Sequence, residues 1–180
     1  LGATSVFVDI DSETYNMDAS KLEEAIIKVK NKGKLNPKGI IPVDLFGQPA
    51  DYDEINAIAK KHGLFVLEDA AQGFGGVYKG KRACSLADVA STSFFPAKPL
   101  GTYGDGGMCF MNDKEMYDKL LSIRVHGQGT DKYNNIRVGI NGRLDTLMAA
   151  ILLPKFEIFE EEIQLRQKVA KRYSEGLNDV

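Results

Sequence analysis

A single lysine, Lys98, lies between a hydrophobic stretch and a glycine-rich turn in the segment TSFFPAKPLGTYGDGG, residues 92–107. Glycines allow the backbone to adopt positive φ angles or to approach a ligand closely. A lysine held in such a turn can act as a nucleophile instead of a solvated surface charge. Lys98 is therefore the first candidate for chemistry in this chain.

A carboxylate and an amide are the next candidates. Asp69 and Gln72 lie in the segment LEDAAQ, directly after a predicted buried strand, and Ser93 and Thr92 precede the lysine turn. A lysine can form a Schiff base with an aldehyde, and a buried carboxylate can keep a pyridine nitrogen protonated. Pyridoxal phosphate requires these two protein groups, and nearby hydroxyls can bind its phosphate. Carboxylate–lysine pairs are also common in structural ion pairs, so spacing alone leaves both interpretations open.

The predicted elements bring these residues to one edge of a sheet. Helical spacing follows capping or acidic residues at 18–30, 50–63 and 112–125, and one long helix with a kink at Pro154 is predicted over 143–177. Short apolar strands are predicted at residues 5–10, 39–43, 64–69, 89–95 and 106–111. Alternation of apolar strands and helices favours an α/β fold with a mostly parallel sheet and flanking helices. Ligands of such sheets bind at the carboxyl ends of the strands.

Composition excludes several classes of protein. The net charge of −2, from 23 basic and 25 acidic residues, argues against a nucleic-acid binder. Two cysteines and two histidines are too few for a typical zinc or disulfide pattern. No apolar run is long enough to cross a bilayer and no signal peptide is visible, so we expect a cytoplasmic protein without a membrane partner. The chain starts without methionine, and we expect it to be a fragment of a longer protein.

One motif imitates a phosphate-binding loop. The segment GGVYKGKR, residues 75–82, nearly matches G-x-x-x-x-G-K-[ST], but Arg82 stands where a hydroxyl must hold magnesium. No strand runs directly into the segment with a helix after it. The central YKGK is typical of a tight hairpin turn, and we predict a hairpin there.

Five segments together resemble one enzyme family. They are LFGQPADYDEI, VLEDAAQGFGG, TSFFPAKPLGTYGDGG, RVHGQG and GINGRLDTLMAAIL, and they cover nearly the whole chain. In order and spacing they resemble the pyridoxal-phosphate sugar-nucleotide aminotransferases of the DegT/StrS type. The third and fifth segments are most similar to enzymes that aminate a 3-keto UDP-N-acetylhexosaminuronate for bacterial surface polysaccharide.

The resemblance implies the fold-type-I architecture, which is aspartate-aminotransferase-like. Residues 1–143 would be the central part of the large, cofactor-binding domain. Residues 144–180 would be a long helix leading to a C-terminal small domain that this chain lacks.

The resemblance also implies a role for each candidate residue. Lys98 matches the Schiff-base lysine, which also moves protons, and Asp69 matches the partner of the pyridinium nitrogen. Gln72 matches a residue that binds near the ring hydroxyl, and Ser93 matches a phosphate ligand. Asn141 matches a phosphate ligand that reaches across from the second subunit of a homodimer.

Arg143 is next to Asn141, and the resemblance places it against the substrate, where an arginine suits the carboxylate of a uronate. The expected reaction moves an amino group from glutamate to a keto sugar nucleotide. Three alternatives stay open. The sugar could carry its keto group at position 4, the enzyme could be a dehydratase, or the chain could be a catalytically silent fragment that only binds a partner. Related dehydratases carry histidine in place of the lysine, so Lys98 favours transamination.

Overall fold

The computed structural model describes residues 2–178, which form five helices and six short strands. The helices are α1 (Ala19–Lys32), α2 (Tyr52–His62), α3 (Lys114–Arg124), α4 (Thr146–Glu157) and α5 (Phe159–Gly176). The strands are β1 (Gly39–Ile40), β2 (Phe65–Asp69), β3 (Val77–Tyr78), β4 (Lys81–Arg82), β5 (Val89–Ser93) and β6 (Gly107–Met111). A short 3-10 turn, Leu45–Gly47, connects β1 to α2.

Four strands form the main sheet in the order β1-β2-β5-β6. β1 and β2 are parallel, β2 and β5 are parallel, and β6 runs antiparallel to β5. The register places Asp69 beside Ser91 and Ser93 beside Gly107. The mostly parallel sheet with flanking helices confirms the predicted fold class, and it brings the carboxyl ends of β2 and β5 next to each other.

Two apolar clusters hold the sheet between the helices. The first packs α1 and α2 against β1 and β2, and its members include Leu22, Ile26, Ile40, Ile55 and Val66. The second packs α4 and α5 against the segment after β5, through Phe94, Leu100, Leu152 and Phe159. Burying aliphatic and aromatic side chains is the main favourable contribution to folding, at about 25 cal/mol per Å² of apolar surface. The residues at the ends of β2 and β5 are therefore supported by packed apolar side chains.

The hairpin prediction is confirmed. β3 and β4 are antiparallel, and the turn residues Lys79 and Gly80 have φ angles of 47° and 83°. Positive φ at both central residues is the signature of the two-residue turns that match the twist of a hairpin. The near-match to a phosphate-binding loop is therefore a hairpin turn.

The strand predicted at residues 5–10 is wrong. Ile10 makes a single bridge to Met17, and Phe7 is 91% exposed. Alternating β-branched residues favour an extended backbone, but a strand also needs a neighbour for its hydrogen bonds. None of the strands in the described part of the chain pairs with this segment. The next prediction was also too long, since β1 ends at Ile40 and Pro42 has no N–H to donate.

The single long helix is also wrong. The helical chain breaks at Ile158, where φ is −99° and ψ is 1°, while Pro154 lies inside α4. The turn at Ile158 brings the rings of Phe156 and Phe159 to 6.5 and 5.5 Å from the ring of Phe74. The helix therefore breaks at Ile158, between these two aromatic residues, whereas Pro154 lies within α4.

Candidate active site

Asp69, Gln72, Ser93 and Lys98, hereafter the strand-end group, all follow the carboxyl ends of β2 and β5. Asp69 is the last residue of β2 and Ser93 the last residue of β5. Gln72 and Lys98 lie in the turns directly after those two strands. The parallel pairing of β2 with β5 places both turns at the same edge of the sheet. The structure thus places four of the six residues that the sequence selects at one edge of the sheet.

Backbone hydrogen bonds on both sides hold Asp69 in place. Its N–H donates to the carbonyl of Pro42 at 2.9 Å, and its carbonyl accepts the N–H of Asp44 at 3.0 Å. In the side chain, Oδ1 accepts the N–H of Ala71 at 3.1 Å. Oδ2 accepts no hydrogen bond from any residue between 2 and 178. One oxygen of this half-buried carboxylate is therefore free to bind a donor from a ligand.

Gln72 is fixed by the neighbouring loop. Its Oε1 accepts the N–H of Phe46 at 2.7 Å. Phe46 and Gly47 have positive φ angles of 58° and 88°. A Cβ on Gly47 would lie 3.3 Å from the carbonyl oxygen of Gln72, so a side chain is disfavoured there by both conformation and space.

The turn that carries Lys98 is closed at its base. The N–H of Lys98 donates to the carbonyl of Phe95 at 2.9 Å, and the N–H of Thr102 donates to the carbonyl of Phe94 at 2.8 Å. A Cβ on Gly101 would lie 2.6 Å from the carbonyl oxygen of Pro96, so only glycine fits. The Lys98 side chain is half-buried, and its amine makes no hydrogen bond or ion pair within the described residues. A nucleophilic amine needs this freedom from an ion-pair partner.

Helices α4 and α5 form hydrogen bonds with this turn, which the sequence did not reveal. The ammonium of Lys155 donates to the carbonyl of Gly101 and lies 5.6 Å from the ring of Tyr103. The hydroxyl of the fully buried Thr102 donates to the carbonyl of Met148 at 3.3 Å. Arg166 donates to the carbonyl of Pro99 at 3.4 Å. The helices therefore clamp the turn without touching the lysine amine itself.

Asn141 and Arg143, hereafter the outer pair, lie after α3 and outside the two turns that carry the strand-end group. Asn141 makes an isolated antiparallel bridge with Val125, after α3. Its Oδ1 accepts Nε of Arg143 at 3.1 Å, and both side chains are exposed. Within residues 2–178, no hydrogen bond joins either of them to the strand-end group. A single chain therefore positions four of the six candidates at one edge and leaves two facing solvent.

A buried acid below the site is a feature that sequence reasoning missed. Asp44 is fully buried, and its Oδ1 accepts the hydroxyl of Tyr52 at 2.8 Å and the N–H of Ala50 at 3.2 Å. Burial, joined by the nearby Glu68 carboxyl, raises the pKa of Asp44 to about 7. Burial also raises the pKa of the Tyr52 hydroxyl above its ordinary value. Asp44 follows an apolar stretch directly, which was the available signal.

Residues 1–180 match the sequence model of the DegT/DnrJ/EryC1/StrS aminotransferase family. The chain belongs to this family. It is 59% identical over 180 residues to UDP-2-acetamido-2-deoxy-3-oxo-D-glucuronate aminotransferase of Pseudomonas aeruginosa, of which it covers 48%. The whole chain matches in that comparison, so the resemblance read from five segments is confirmed.

Solved structures of the family have the same fold. A DegT/DnrJ/EryC1/StrS aminotransferase from Brucella abortus is 52% identical and superposes with a TM-score of 0.97 over 99% of this chain and 48% of that one. Streptomyces venezuelae DesV, solved in complex with a ketimine intermediate, is 34% identical with a TM-score of 0.89 over 99% of this chain and 46% of that one. The chain spans about half the length of these relatives.

The DegT/StrS aminotransferases depend on pyridoxal phosphate, and the strand-end group fits that cofactor. The open Oδ2 of Asp69 can accept a hydrogen bond from a protonated ring nitrogen. Because Oγ of Ser93 accepts the N–H of Phe95 at 3.2 Å, its hydroxyl proton stays available for a phosphate oxygen. The amine of Lys98 has no partner in the described chain to displace.

Other kinds of site have no support from the described part of the chain. Across residues 2–178, no three histidine, cysteine, aspartate or glutamate side chains lie together in a way that could hold a metal ion. None of the helices in that range combines the length and the apolarity that crossing a membrane requires.

Proposed function

We propose that the protein containing this chain is a pyridoxal-phosphate aminotransferase that moves an amino group from glutamate to a UDP-linked keto sugar. The acceptor is a 3-keto N-acetylhexosaminuronate, and the product serves surface polysaccharide synthesis. One observation carries the proposal: the unpaired amine of Lys98 lies at the same sheet edge as Asp69 and Ser93, in a chain 59% identical to a 3-oxo-glucuronate aminotransferase.

The residues of the strand-end group divide the work. Asp69 would keep the ring nitrogen protonated through its open Oδ2, and the hydroxyl of Ser93 would donate to the phosphate. Gln72, held by Phe46, supplies its amide N–H groups beside the ring hydroxyl. When bound, the cofactor accepts the electron pair of the bond that breaks at the substrate carbon. Lys98 would hold the cofactor at rest, and once a substrate amine has displaced it, its free amine would take the proton from the substrate carbon and deliver it to the neighbouring carbon of the cofactor.

Lys98 also separates transamination from dehydration. Transamination needs a group that both removes and returns a proton at neighbouring atoms, and a flexible primary amine can reach both. Related dehydratases carry histidine at this position, whereas this chain has lysine. The presence of Lys98 therefore favours the aminotransferase over its dehydrating relatives.

The outer pair supports a homodimer with a shared active site. Asn141 and Arg143 are exposed and bond to each other, and within residues 2–178 no hydrogen bond joins them to the strand-end group of their own chain. A symmetric dimer can bring such a pair to the strand-end group of the partner. There Asn141 would bind the phosphate and Arg143 the uronate carboxylate, in a planar two-point contact that arginine favours. We place this dimer in the cytoplasm, where its nucleotide-sugar substrates are used.

The decisive experiment maps the attachment of the cofactor. The chain and the full-length product of its gene are mixed with pyridoxal phosphate, reduced with borohydride and digested, and the pyridoxyl adduct is located by peptide mass spectrometry. We expect the adduct on Lys98 and its loss in Lys98→Arg, which keeps the charge. A Lys155→Arg variant serves as the control because Lys155 lies at the same turn.

Each result has a separate meaning. An adduct in the full-length protein alone shows that the function is right and that these 180 residues are too short to bind the cofactor. Absence of a Lys98 adduct in both proteins overturns the proposal, and a stable complex with a full-length subunit would then favour the silent binding fragment. A panel of 3-keto and 4-keto sugar nucleotides, scored for amine product with glutamate as donor, decides the substrate.

A further inference from the structure

Asp44 and Glu68 are two carboxyl groups that share one buried site below the strand-end group. Both residues are 0% exposed. Asp44 begins the loop after β1, and Glu68 is the residue before Asp69 in β2. The Glu68 carboxyl lies near enough to Asp44 to help raise its pKa, so the protonation states of the two groups depend on each other.

The hydrogen bonds of the four carboxyl oxygens are unequal. In Glu68, Oε1 accepts the N–H of Cys84 at 2.5 Å and Oε2 accepts the N–H of Leu86 at 2.9 Å. In Asp44, Oδ1 accepts both the Tyr52 hydroxyl and the Ala50 N–H. Oδ2 of Asp44 is buried and has no donor among the described residues. A proton on that oxygen would turn it into a donor and give it an acceptor in Glu68.

The surroundings offer no positive charge to this pair. The titratable groups that face it are the Tyr52 hydroxyl from α2 and the Cys84 thiol from the loop after β4, and the Asp69 carboxyl of β2 acts on Tyr52. Burial raises the pKa of Cys84 to about 12, so this thiol stays neutral. No lysine, arginine or histidine of residues 2–178 pairs with either carboxyl. Two adjacent carboxyl groups without a cation cannot both ionise cheaply.

Asp44 and the loop after it also hold the backbone of the strand-end group. The N–H of Asp44 donates to the carbonyl of Asp69 at 3.0 Å. A Cβ on Gly73, next to Gln72, would lie 2.6 Å from the Asp44 carboxylate, so this turn packs directly on Asp44. The loop that Asp44 begins also supplies the Phe46 N–H to Gln72.

We propose that Asp44 carries a proton on Oδ2 and donates it in a hydrogen bond to Glu68, and that this shared proton fixes the backbone that presents Asp69 and Gln72. The shared proton rests on the buried, unpaired Oδ2 of Asp44 and on the buried Glu68 carboxyl near it, and it does not depend on the proposed function. The second half rests on the proposed function, because Asp69 and Gln72 matter there as cofactor ligands. Asp44 is a positioning residue in this scheme and does not touch the cofactor.

The sign of the pH dependence follows from the raised pKa. The folded state binds the Asp44 proton more tightly than the unfolded state, in which the pKa of Asp44 is near 3.8. The contribution of Asp44 to stability is therefore full in acid and is lost as the pH rises from about 4 to about 7. Asp44→Asn removes this dependence because its amide donates to Glu68 at every pH.

The first test compares two conservative variants of the full-length gene product without cofactor. The urea midpoint of unfolding is measured at about pH 5 and about pH 8. We expect the urea midpoint of Asp44→Asn to increase relative to that of the wild type as the pH rises. The urea midpoint of Glu68→Gln should be lower than that of the wild type at both pH values, because the new NH₂ group would face the N–H of Cys84 or Leu86. Asp113→Asn, at an exposed helix cap, is the control, and its urea midpoint should not increase relative to that of the wild type as the pH rises. Equal losses in Asp44→Asn and Glu68→Gln, independent of pH, would overturn the shared proton.

A second test needs no variant that might fail to fold. Carboxyl carbons of aspartate are labelled with ¹³C in the wild type, and their NMR shifts are followed with pH. One buried carboxyl is expected to titrate near neutrality. If every aspartate carboxyl is fully ionised at about pH 5, the proton does not reside on Asp44.

The third test separates the positioning role from the function. Affinity for pyridoxal phosphate is measured by equilibrium dialysis in Asp44→Asn and in Asp44→Leu, which cannot donate to Glu68. Asp44→Asn should bind like the wild type, and Asp44→Leu about tenfold more weakly. Equal affinity in all three removes the positioning role but leaves the shared proton. Absence of binding in the wild type removes the proposed function and the positioning role together, while the stability result stands.

Discussion

The strand-end group and the outer pair differ in how far their own chain supports them. Asp69 is held by backbone bonds to Pro42 and Asp44, and the Lys98 turn is held by Thr102 and the α4 clamp. In the outer pair, the side chains of Asn141 and Arg143 bond to each other and are exposed. One half of the candidate site is thus anchored within the described chain, and the other half is exposed on its surface.

This difference teaches which part of the site one chain can complete. Anchoring occurs where the sheet edge forces buried backbone groups to find partners. Exposed polar residues have no such requirement, and their orientation can be fixed by a second subunit. The exposed Leu147, Leu153 and Phe156 of α4, which are 75%, 68% and 58% exposed, are residues that an obligate interface would bury. Both observations support the proposed shared active site, and the following predictions test it from the largest effect to the smallest.

Mixing two inactive variants should restore activity if the comparison is right. Lys98→Ala removes the amine and Asn141→Ala removes the phosphate ligand, so each homodimer of the full-length protein should be inactive or strongly impaired. In a mixed dimer, the Lys98 of one subunit meets the Asn141 of the other, and one of the two sites is intact. Random reassociation should return about a quarter of the wild-type rate, measured as amine product.

The control mixes Lys98→Ala with a variant that carries both substitutions. No site in that mixture combines the lysine with the asparagine, so the rate should stay at the background level. If the first mixture also stays there, both residues serve the site of their own chain, and the division between the strand-end group and the outer pair has no functional meaning.

Removing the charge of Arg143 should affect substrate binding more than chemistry. In Arg143→Gln we expect KM for a uronate-bearing sugar nucleotide to rise by about tenfold or more, because a charge-assisted bidentate contact is lost. The value of kcat should change far less, and KM for a neutral keto sugar nucleotide should stay near the wild type. Arg137→Gln is the matched control, since Arg137 is exposed in the same loop. An equal rise of KM for both substrates would contradict a role in carboxylate recognition.

Much of the anchored half could be predicted from the sequence. Apolar runs that end at Asp69 and near Ser93 indicated two strands and the edge at which they end. Short parallel strands are buried, and their apolar residues make them recognisable in the sequence. The family resemblance then supplied the roles. The outer pair could be placed in the sequence but not in space, since its surroundings depend on a loop without regular structure.

The remaining features depend on contacts between distant parts of the chain. The segment at residues 5–10 has the composition of a strand, but pairing requires a neighbour that local sequence does not specify. The clamp joins Lys155 to Gly101 across 54 positions. Asp44 looks like an ordinary loop acid until α2 and β2 bury it. Local patterns predict elements, whereas these features arise only when elements pack.

The clamp on the lysine turn gives the smallest expected effect and the sharpest contrast with Arg143. Lys155→Met keeps the apolar stem of the side chain and removes its N–H donors, leaving the buried carbonyl of Gly101 unpaired. The free energy of unfolding should fall by about 1 kcal/mol, measured in urea, and kcat should fall a few-fold while KM for the sugar nucleotide is unchanged. Lys168→Met on the exposed face of α5 is the control and should change neither. If Lys155→Met lowers only kcat and Arg143→Gln raises only KM, the anchored half governs proton movement and the exposed half governs substrate binding. If Lys155→Met matches its control, the fixed geometry of the turn comes from Gly101 and Thr102 without help from α4.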